Sequence, residues 1–596
     1  MNHMPPPPHH LRAPRASRPS LLERAIPAVG WMRDYQRADL RGDVIAGLTT
    51  AVLLAPQAMA YATLAGLPPV VGLYAATLPL AVYALFGTSR QLAVGPVATD
   101  SLLVAAILAS LGTVASSGGL SYVALAATLA LMVGALQLVM GGLRMGFLAN
   151  FLSQPVLSGF TSAVALVIAL SQAGPLLGLS SPAGANPFET ARAFAAGLPS
   201  VHPAAAAVGI GSLIALSALR RLAPRAPRAL IVVAVGTLAS ALLHLETLGV
   251  PVVGAVPSGL PTVDFSPPDA ATATALLPGA LTLAFIGFIE AISVGRALAA
   301  RHRYRIHPNR EFTALGLANL AGGLTGGYPI TGGFSRSAVN DDAGARTPLA
   351  SLITAALMLL VLLFLTPLLH DLPRPALAAI IASATTSLVD TRIVRFLWRV
   401  KRTDLGLLAL TFVATIVVGI QEGILIGVTA SILWFVVRST RPHTAILGQL
   451  PGTESYRNLD RFPEARRIPG LTLVRVDAPF YFGNVTFLRD TVARLRDECP
   501  ERLRALVIDA SSINELDSSA ATALFEIADE ADSFGFELYF AGAKGPVRDV
   551  MQRSGFWDRV GRDRFYLRVH DAVTAARAKL DFQGVTSDSD ACEPPS

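Results

Sequence analysis

Two long stretches of this chain carry almost no positive charge. Between Gly42 and Gly142 the only basic residue is Arg90, and from Ala229 to Gly295 there is none. A soluble core does not run that far without solvated cations. A series of membrane helices does, each needing about 20 apolar residues to cross about 30 Å of hydrocarbon. The chain is 52% hydrophobic and only 15% charged, where a soluble domain carries roughly 25%. The formal charge of +7 is assigned to topology rather than to nucleic acid, because the arginines gather in short loops. Cys499 and Cys592 both lie beyond the apolar region, which supports neither a disulfide framework nor a thiolate metal site.

Residues 1–43, opening with the low-complexity run PPPPHH, have no apolar run of signal-peptide type and are expected to form a cytosolic tail. Spans are predicted at about 44–64, 70–87, 93–111, 121–141, 147–172, 203–220 and 229–247. Seven more follow at about 276–299, 310–327, 333–344, 348–369, 374–389, 404–420 and 422–438. Arg144, then Arg220, Arg221, Arg225 and Arg228, then Arg301, Arg303, Arg305 and Arg310, then Arg392, Arg395, Arg399, Lys401 and Arg402 all fall after even-numbered spans; Arg192 and Arg374 are the exceptions. Positive charge favours the cytoplasmic side, so both termini are expected there. Fourteen segments divide into seven plus seven, the plan of an inverted repeat with its site near the midplane. A weak internal echo aligns LTTAVLLAPQAMAYA from Leu48 with LTLAFIGFIEAISVG from Leu281, setting Gln57 opposite Glu290.

The third segment opens QLAVGPVATD (residues 91–100) and the tenth YPITGGFSRSAVN (328–340). Each reads as an extended piece followed by a helix that starts inside the membrane. Two helix N-termini facing one another there would present free N–H groups to an anion. The candidate residues are Gly95, Pro96, Val97 and Ala98 on one side and Phe334, Ser335 and Arg336 on the other. The Arg336 guanidinium would add a charge and a forked donor. Gln57 and Tyr61, one helical turn apart, can face the same cavity. Glu290, midway along the eighth span, is expected either to carry a proton or to pair with Arg336. Asp100 is a second acid, read as reaching a water-filled vestibule, with an open role. The glycines of GGLTGG (322–327) are assigned to helix packing rather than phosphate binding. His244, His302, His307 and His370 show no ligand spacing, so no metal is expected.

These motifs resemble the SulP-type sulfate permease family of anion transporters and exchangers. The resemblance covers nearly all of residues 38–580 and is carried by DVIAGLTTAVLLAPQAMAYATLAGLPPVVGLYAA (43–76), FGTSRQLAVGPVA (86–98) and GGFSRSAVN (332–340). It implies an α-helical polytopic fold of fourteen segments in two inverted repeats, with a gate and a core domain, a homodimer, and an anion held between the third and tenth half-helices. It also implies anion contacts from Gln57, Tyr61, Ser335 and Arg336 and proton coupling through Glu290. Relatives that use sodium with bicarbonate are expected to have Asp where Glu290 stands and a hydroxyl where Arg336 stands, so protons are favoured. Asp100 departs from the small or apolar residue expected after GPVA, which bears on selectivity.

Residues 441–468 read as a linker, 469–580 as a small α/β domain and 581–596 as a tail. Strands are predicted at 471–477 and 505–512, with helices at about 484–499, 517–533 and 545–553. The run DASSINELDSSAATAL (509–524) resembles the STAS domain, the fold of anti-sigma-factor antagonists in which a Ser of the DSS turn is phosphorylated. Ser518 and Ser519 are expected to cap a helix, and the domain to serve folding, dimerisation and docking of a cytosolic partner. The function expected is proton-coupled uptake of sulfate or a small dicarboxylate across the inner membrane. Sodium-coupled bicarbonate uptake, anion exchange and an anion sensor signalling through the STAS domain stand as alternatives. Neither part contains a nucleophile and base set or a metal constellation, so an enzyme is not expected.

Overall fold

A computed structural model describes residues 26–582, apart from 112–120, 151–152, 180–186, 224–227, 256, 258, 260–268, 387–388 and 499–502. The PPPPHH run, Cys499, Cys592 and the tail expected at 581–596, save residues 581–582, lie outside the described residues. The chain forms two units, one through Ser431 and one from Ile432.

A helix falls on each of the fourteen predicted segments, the last (Ile420–Thr440) running across the boundary between the units, and the protein is an α-helical polytopic membrane protein. Eight helices among the described residues are long and apolar enough to span a membrane unaided. The third and tenth are not, with helices of only 13 and 9 residues, Ala98–Ser110 and Phe334–Asp342. Short helices Pro187–Gly197 and Thr391–Val400 occupy stretches read as loop.

The first span begins earlier than expected, because its helix runs Arg37–Leu64 and a short helix, Pro27–Arg33, precedes it. Polar residues had ended the apolar run at 44, yet Asp43 is fully buried. Its carboxylate accepts hydrogen bonds from the Arg346 and Thr347 amides at 2.8 and 3.0 Å and from Thr347 Oγ1 at 2.6 Å. A tertiary partner thus admits a charge that the sequence alone excludes.

Helices in lipid gain little from hydrophobicity and associate by close packing of small residues. A Cβ added to Gly134 would lie 2.7 Å from the Gly316 carbonyl oxygen, and one on Gly316 would lie 2.8 Å from that of Gly134. The fourth helix (Tyr122–Gly142) and the ninth (Pro308–Leu324) are therefore in backbone contact. Gly323 of the GGLTGG run belongs to the same seam, where a Cβ would meet the Ala127 carbonyl oxygen at 2.7 Å.

The second unit holds a six-stranded sheet in the order β4-β3-β5-β6-β7-β8. Its strands are β3 (Thr444–Gln449), β4 (Tyr456–Asn458), β5 (Leu471–Val476), β6 (Ala505–Asp509), β7 (Glu537–Ala541) and β8 (Phe565–Tyr566). The stretch 441–468 is thus not merely a linker, since β3 pairs antiparallel with β5 and β4 with β3. β4 is a three-residue edge strand, and β3, which lies between β4 and β5, carries Gly448 and Gln449 after its apolar residues, which hid them. Helices Val485–Glu498, Ser518–Phe534 and Gly545–Arg553 fall close to their expected places. The cap of the second is Asp517, whose carboxylate accepts from the Ala520 amide at 2.8 Å; Ser518 and Ser519 are exposed residues of the first turn, not caps.

Gly134→Leu is expected to force the fourth and ninth helices apart and to cost at least about 1–3 kcal/mol, the usual range for overpacking. Thermal unfolding of the detergent-solubilised protein checks this, and an unchanged midpoint would count against the contact.

Candidate functional site

The two broken segments meet as an antiparallel pair. β1 (Val94–Gly95) and β2 (Thr331–Gly332) align Val94 with Gly332 and Gly95 with Thr331. Two residues a side cannot satisfy so much extended backbone, and unpaired peptide groups at membrane depth cost several kcal/mol each. Side chains supply what is missing. Ser337 Oγ accepts from the Ala93 amide at 2.9 Å, and Asn340 Nδ2 donates to the Gln91 carbonyl at 2.9 Å. Asn319 accepts from the Ile330 amide at 2.8 Å and donates to the Ile330 carbonyl at 3.1 Å and to Gln137 Oε1 at 3.0 Å. The Thr331 hydroxyl donates to the Gly287 carbonyl.

A helix begins directly after each strand. In one, the first intrahelical bond runs from the Ser101 amide to the Val97 carbonyl; in the other, from Ser337 to Gly333. The amides of Ala98, Thr99 and Asp100, and of Phe334, Ser335 and Arg336, have no intrahelical acceptor. Gly95 (φ +147°) sits where the chain turns toward the first of these helices, a backbone conformation open to glycine.

Arg336 links the two sides. Only 2% exposed, it donates from Nε to the Ala93 carbonyl at 3.2 Å and from Nη1 to the Pro96 carbonyl at 2.9 Å. Its third nitrogen, Nη2, is buried without a partner. Glycines leave room around that nitrogen, since a Cβ on either Gly95 or Gly333 would stand 3.2 Å from it. The arrangement offers one unspent cationic donor between two helix N-termini, the requirements for holding an anion.

The other residues singled out from sequence lie on these two short helices and on the first and eighth helices packed against them. Gln57 and Tyr61 are each 7% exposed on the first helix, and Tyr61 lies within electrostatic reach of Arg336. Val97 and Ala98 are buried, while Phe334 and Ser335 are exposed. Glu290 is buried and accepts from Thr99 Oγ1 at 3.1 Å. No ion pair joins it to Arg336, which corrects one of the two expectations for that residue: the guanidinium's donors are turned toward backbone carbonyls. Asp100 is also corrected, because at 1% exposure it reaches no open vestibule.

Sequence reasoning passed over Ser337, Asn340, Asn319, Gln137, Ser101 and Tyr328, the last two joined at 2.9 Å. Ser101, Gln137 and Asn319 are polar residues in apolar helices and Tyr328 follows a glycine pair, exceptions to pattern that were the available signal; Ser337 and Asn340 stand in the polar run FSRSAVNDD, where nothing local marks them. Of the histidines, His302 Nε2 lies 2.5 Å from Asp341 Oδ1, and His370 Nδ1 lies 2.9 Å from Asp371. Glu246, His370 and Asp371 bring one ligand atom each within 4.8 Å of one another, a grouping invisible in sequence spacing.

Residues 40–411 match the Sulfate permease family and residues 462–572 the STAS domain. The chain belongs to the sulfate permease family. It is 38% identical over 570 residues to Sulfate transporter 4.1, chloroplastic, of Arabidopsis thaliana, covering 93% of this chain and 82% of that one. It is 39% identical over 554 residues to a probable sulfate transporter of Mycobacterium tuberculosis strain H37Rv, covering 93% and 98%. Among solved structures it is similar to the murine Solute Carrier 26 family member A9 anion transporter in the inward-facing state, with a TM-score of 0.86, 25% identity, and 95% and 96% of the two chains covered. The transmembrane domain of the cyanobacterial bicarbonate transporter BicA gives a TM-score of 0.59 at 25% identity, covering 65% of this chain and 98% of that one. The fold is thus that of the family, a polytopic helical membrane unit followed by a STAS domain.

Asn319→Leu strands the Ile330 amide and carbonyl, each orphan costing about 1–3 kcal/mol. The variant is expected to unfold at a lower temperature in detergent, and a wild-type midpoint would mean that water replaces the clamp.

Proposed function

We propose that this member of the sulfate permease family is a secondary active transporter that takes up sulfate together with protons. The observation that carries the reading is the Arg336 guanidinium, fixed between two helix N-termini with Nη2 unpartnered and buried. A buried donor without an acceptor costs free energy, and an anion bridging it to the free amides at the two helix starts removes that cost. Sulfate is favoured over bicarbonate because the relatives at 38% and 39% identity are named as sulfate transporters, one as probable.

In this reading the anion lies against Arg336 and the amides that follow Val97 and Gly333, with Gln57, Tyr61 and Ser335 around it. Glu290 supplies the coupling. A carboxylate held in the interior by one threonine hydroxyl repels an incoming dianion when ionised and does not when protonated. Binding of anion and proton are therefore linked. A sodium ion is disfavoured near the guanidinium by the same electrostatics. We place the protein in the cell membrane as a homodimer, both termini in the cytoplasm and the STAS domain available to a cytosolic partner.

Uptake of labelled sulfate into proteoliposomes under separately imposed pH and sodium gradients tests the coupling. Acid outside is expected to accelerate uptake and sodium to leave it unchanged; acceleration by sodium alone would overturn the assignment. Glu290→Gln is expected to weaken the acceleration while sulfate exchange persists, and acceleration equal to that of the intact protein would remove Glu290 from the coupling. Arg336→Lys keeps the charge but cannot reproduce the fork to Ala93 and Pro96. It should lower uptake at least about tenfold, equivalent to about 1.4 kcal/mol, and full activity would remove Arg336 from the site.

A further inference from the structure

Asp100 sits one residue beyond Thr99, the partner of Glu290, in the first turn of the third-segment helix. It is 1% exposed, and its Oδ1 is buried without any hydrogen-bond partner. Its Oδ2 faces the eighth helix at Gly287, one turn before Glu290, where an added Cβ would stand 3.3 Å away. The absent side chain there gives the carboxyl its space. Among the described residues, the charged group acting on Asp100 is Glu290. Tyr328, bonded to Ser101 on the same helix turn, faces it from the tenth segment, with Tyr61 and Arg336 beyond. Of the other helices packed against it, Gln154–Leu176 has no titratable side chain, and Tyr122 of the fourth is turned to the Ala65 carbonyl. Among the described residues, no cation is paired to Asp100.

An ionised carboxylate with no donor, next to a second carboxylate in a dry interior, is strongly disfavoured. The disfavour grows when a dianion arrives. With Glu290 protonated, Arg336 charged and sulfate bound, an ionised Asp100 leaves two net negative charges buried; a protonated Asp100 leaves one. When water enters the open site, both acids can ionise again.

We propose that Asp100 is a second proton-carrying residue, so that each sulfate enters with two protons, one on Asp100 and one on Glu290. The protons come from the acidic outer solution, bind the two carboxylates as the anion binds, and leave to the inner solution with it. The inference rests on the proton-coupled reading above and adds its stoichiometry: two protons with a dianion move no net charge.

Proteoliposomes carrying an internal pH dye, supplied with labelled sulfate, give the two fluxes together. The intact protein is expected to move two protons per sulfate and to be indifferent to an imposed membrane potential. Asp100→Asn should move one proton per sulfate, and a negative-inside potential should slow it. A wild-type ratio of one, or a ratio unchanged in Asp100→Asn, overturns the role of Asp100 and leaves Glu290 as sole carrier. No proton movement in the intact protein overturns the coupled reading altogether. The wild-type ratio decides the matter by itself if the variant fails to fold.

Discussion

The structure depends on how two stretches of extended backbone are satisfied where no water is available. β1 and β2 pair over only two residues each, and the amide and carbonyl groups around them are completed by Ser337, Asn340, Asn319 and Arg336. In an aqueous protein such gaps would be filled by solvent at small cost. Here every one must be filled from within. The same requirement makes a ligand site, because whatever donors remain after the backbone has been served are fixed, desolvated and in want of an acceptor. Arg336 contributes two nitrogens to the frame and retains one.

The function proposed for this site therefore rests on a division of labour within one side chain. Lysine could bring the charge, but its single ammonium could not brace the Ala93 and Pro96 carbonyls together and still face an anion. Acid chemistry is divided as well. Glu290 has Thr99 as a partner, whereas Asp100 has an oxygen with none, so the two carboxyls meet different local costs on ionising although they stand on adjoining helices.

Much of this was legible in the chain. Runs nearly free of Lys and Arg marked the segments, glycine and proline beside polar residues marked the two breaks, and an arginine just after a glycine pair pointed to the candidate site. What could not be read were long-range partners. Asp43 looked like the end of an apolar run because nothing local reveals that Thr347 caps it. The expectation that Glu290 might pair with Arg336 was reasonable on charge but ignored the carbonyls exposed by β1. β3 and β4 escaped notice because they owe their existence to neighbours, β3 to β5 and β4 to β3, rather than to their own pattern. Asn319 and Gln137 appeared as isolated polar residues, and only proximity makes them a chain of amides.

That chain links the broken tenth segment to the rest of the bundle. Ile330 is held by Asn319 on the ninth helix, Asn319 by Gln137 on the fourth, and Gln137 Nε2 donates at 3.2 Å to the Ala284 carbonyl on the eighth, the helix of Glu290. The fourth and ninth helices meet at glycines, where backbone lies against backbone and Leu131, Leu138 and Leu320 close the seam. The broken tenth segment and the helix of Glu290 thus share one chassis: in the transport cycle proposed above, a displacement large enough to change which side of the membrane the anion faces carries these helices along as a piece, and the sliding surface lies elsewhere.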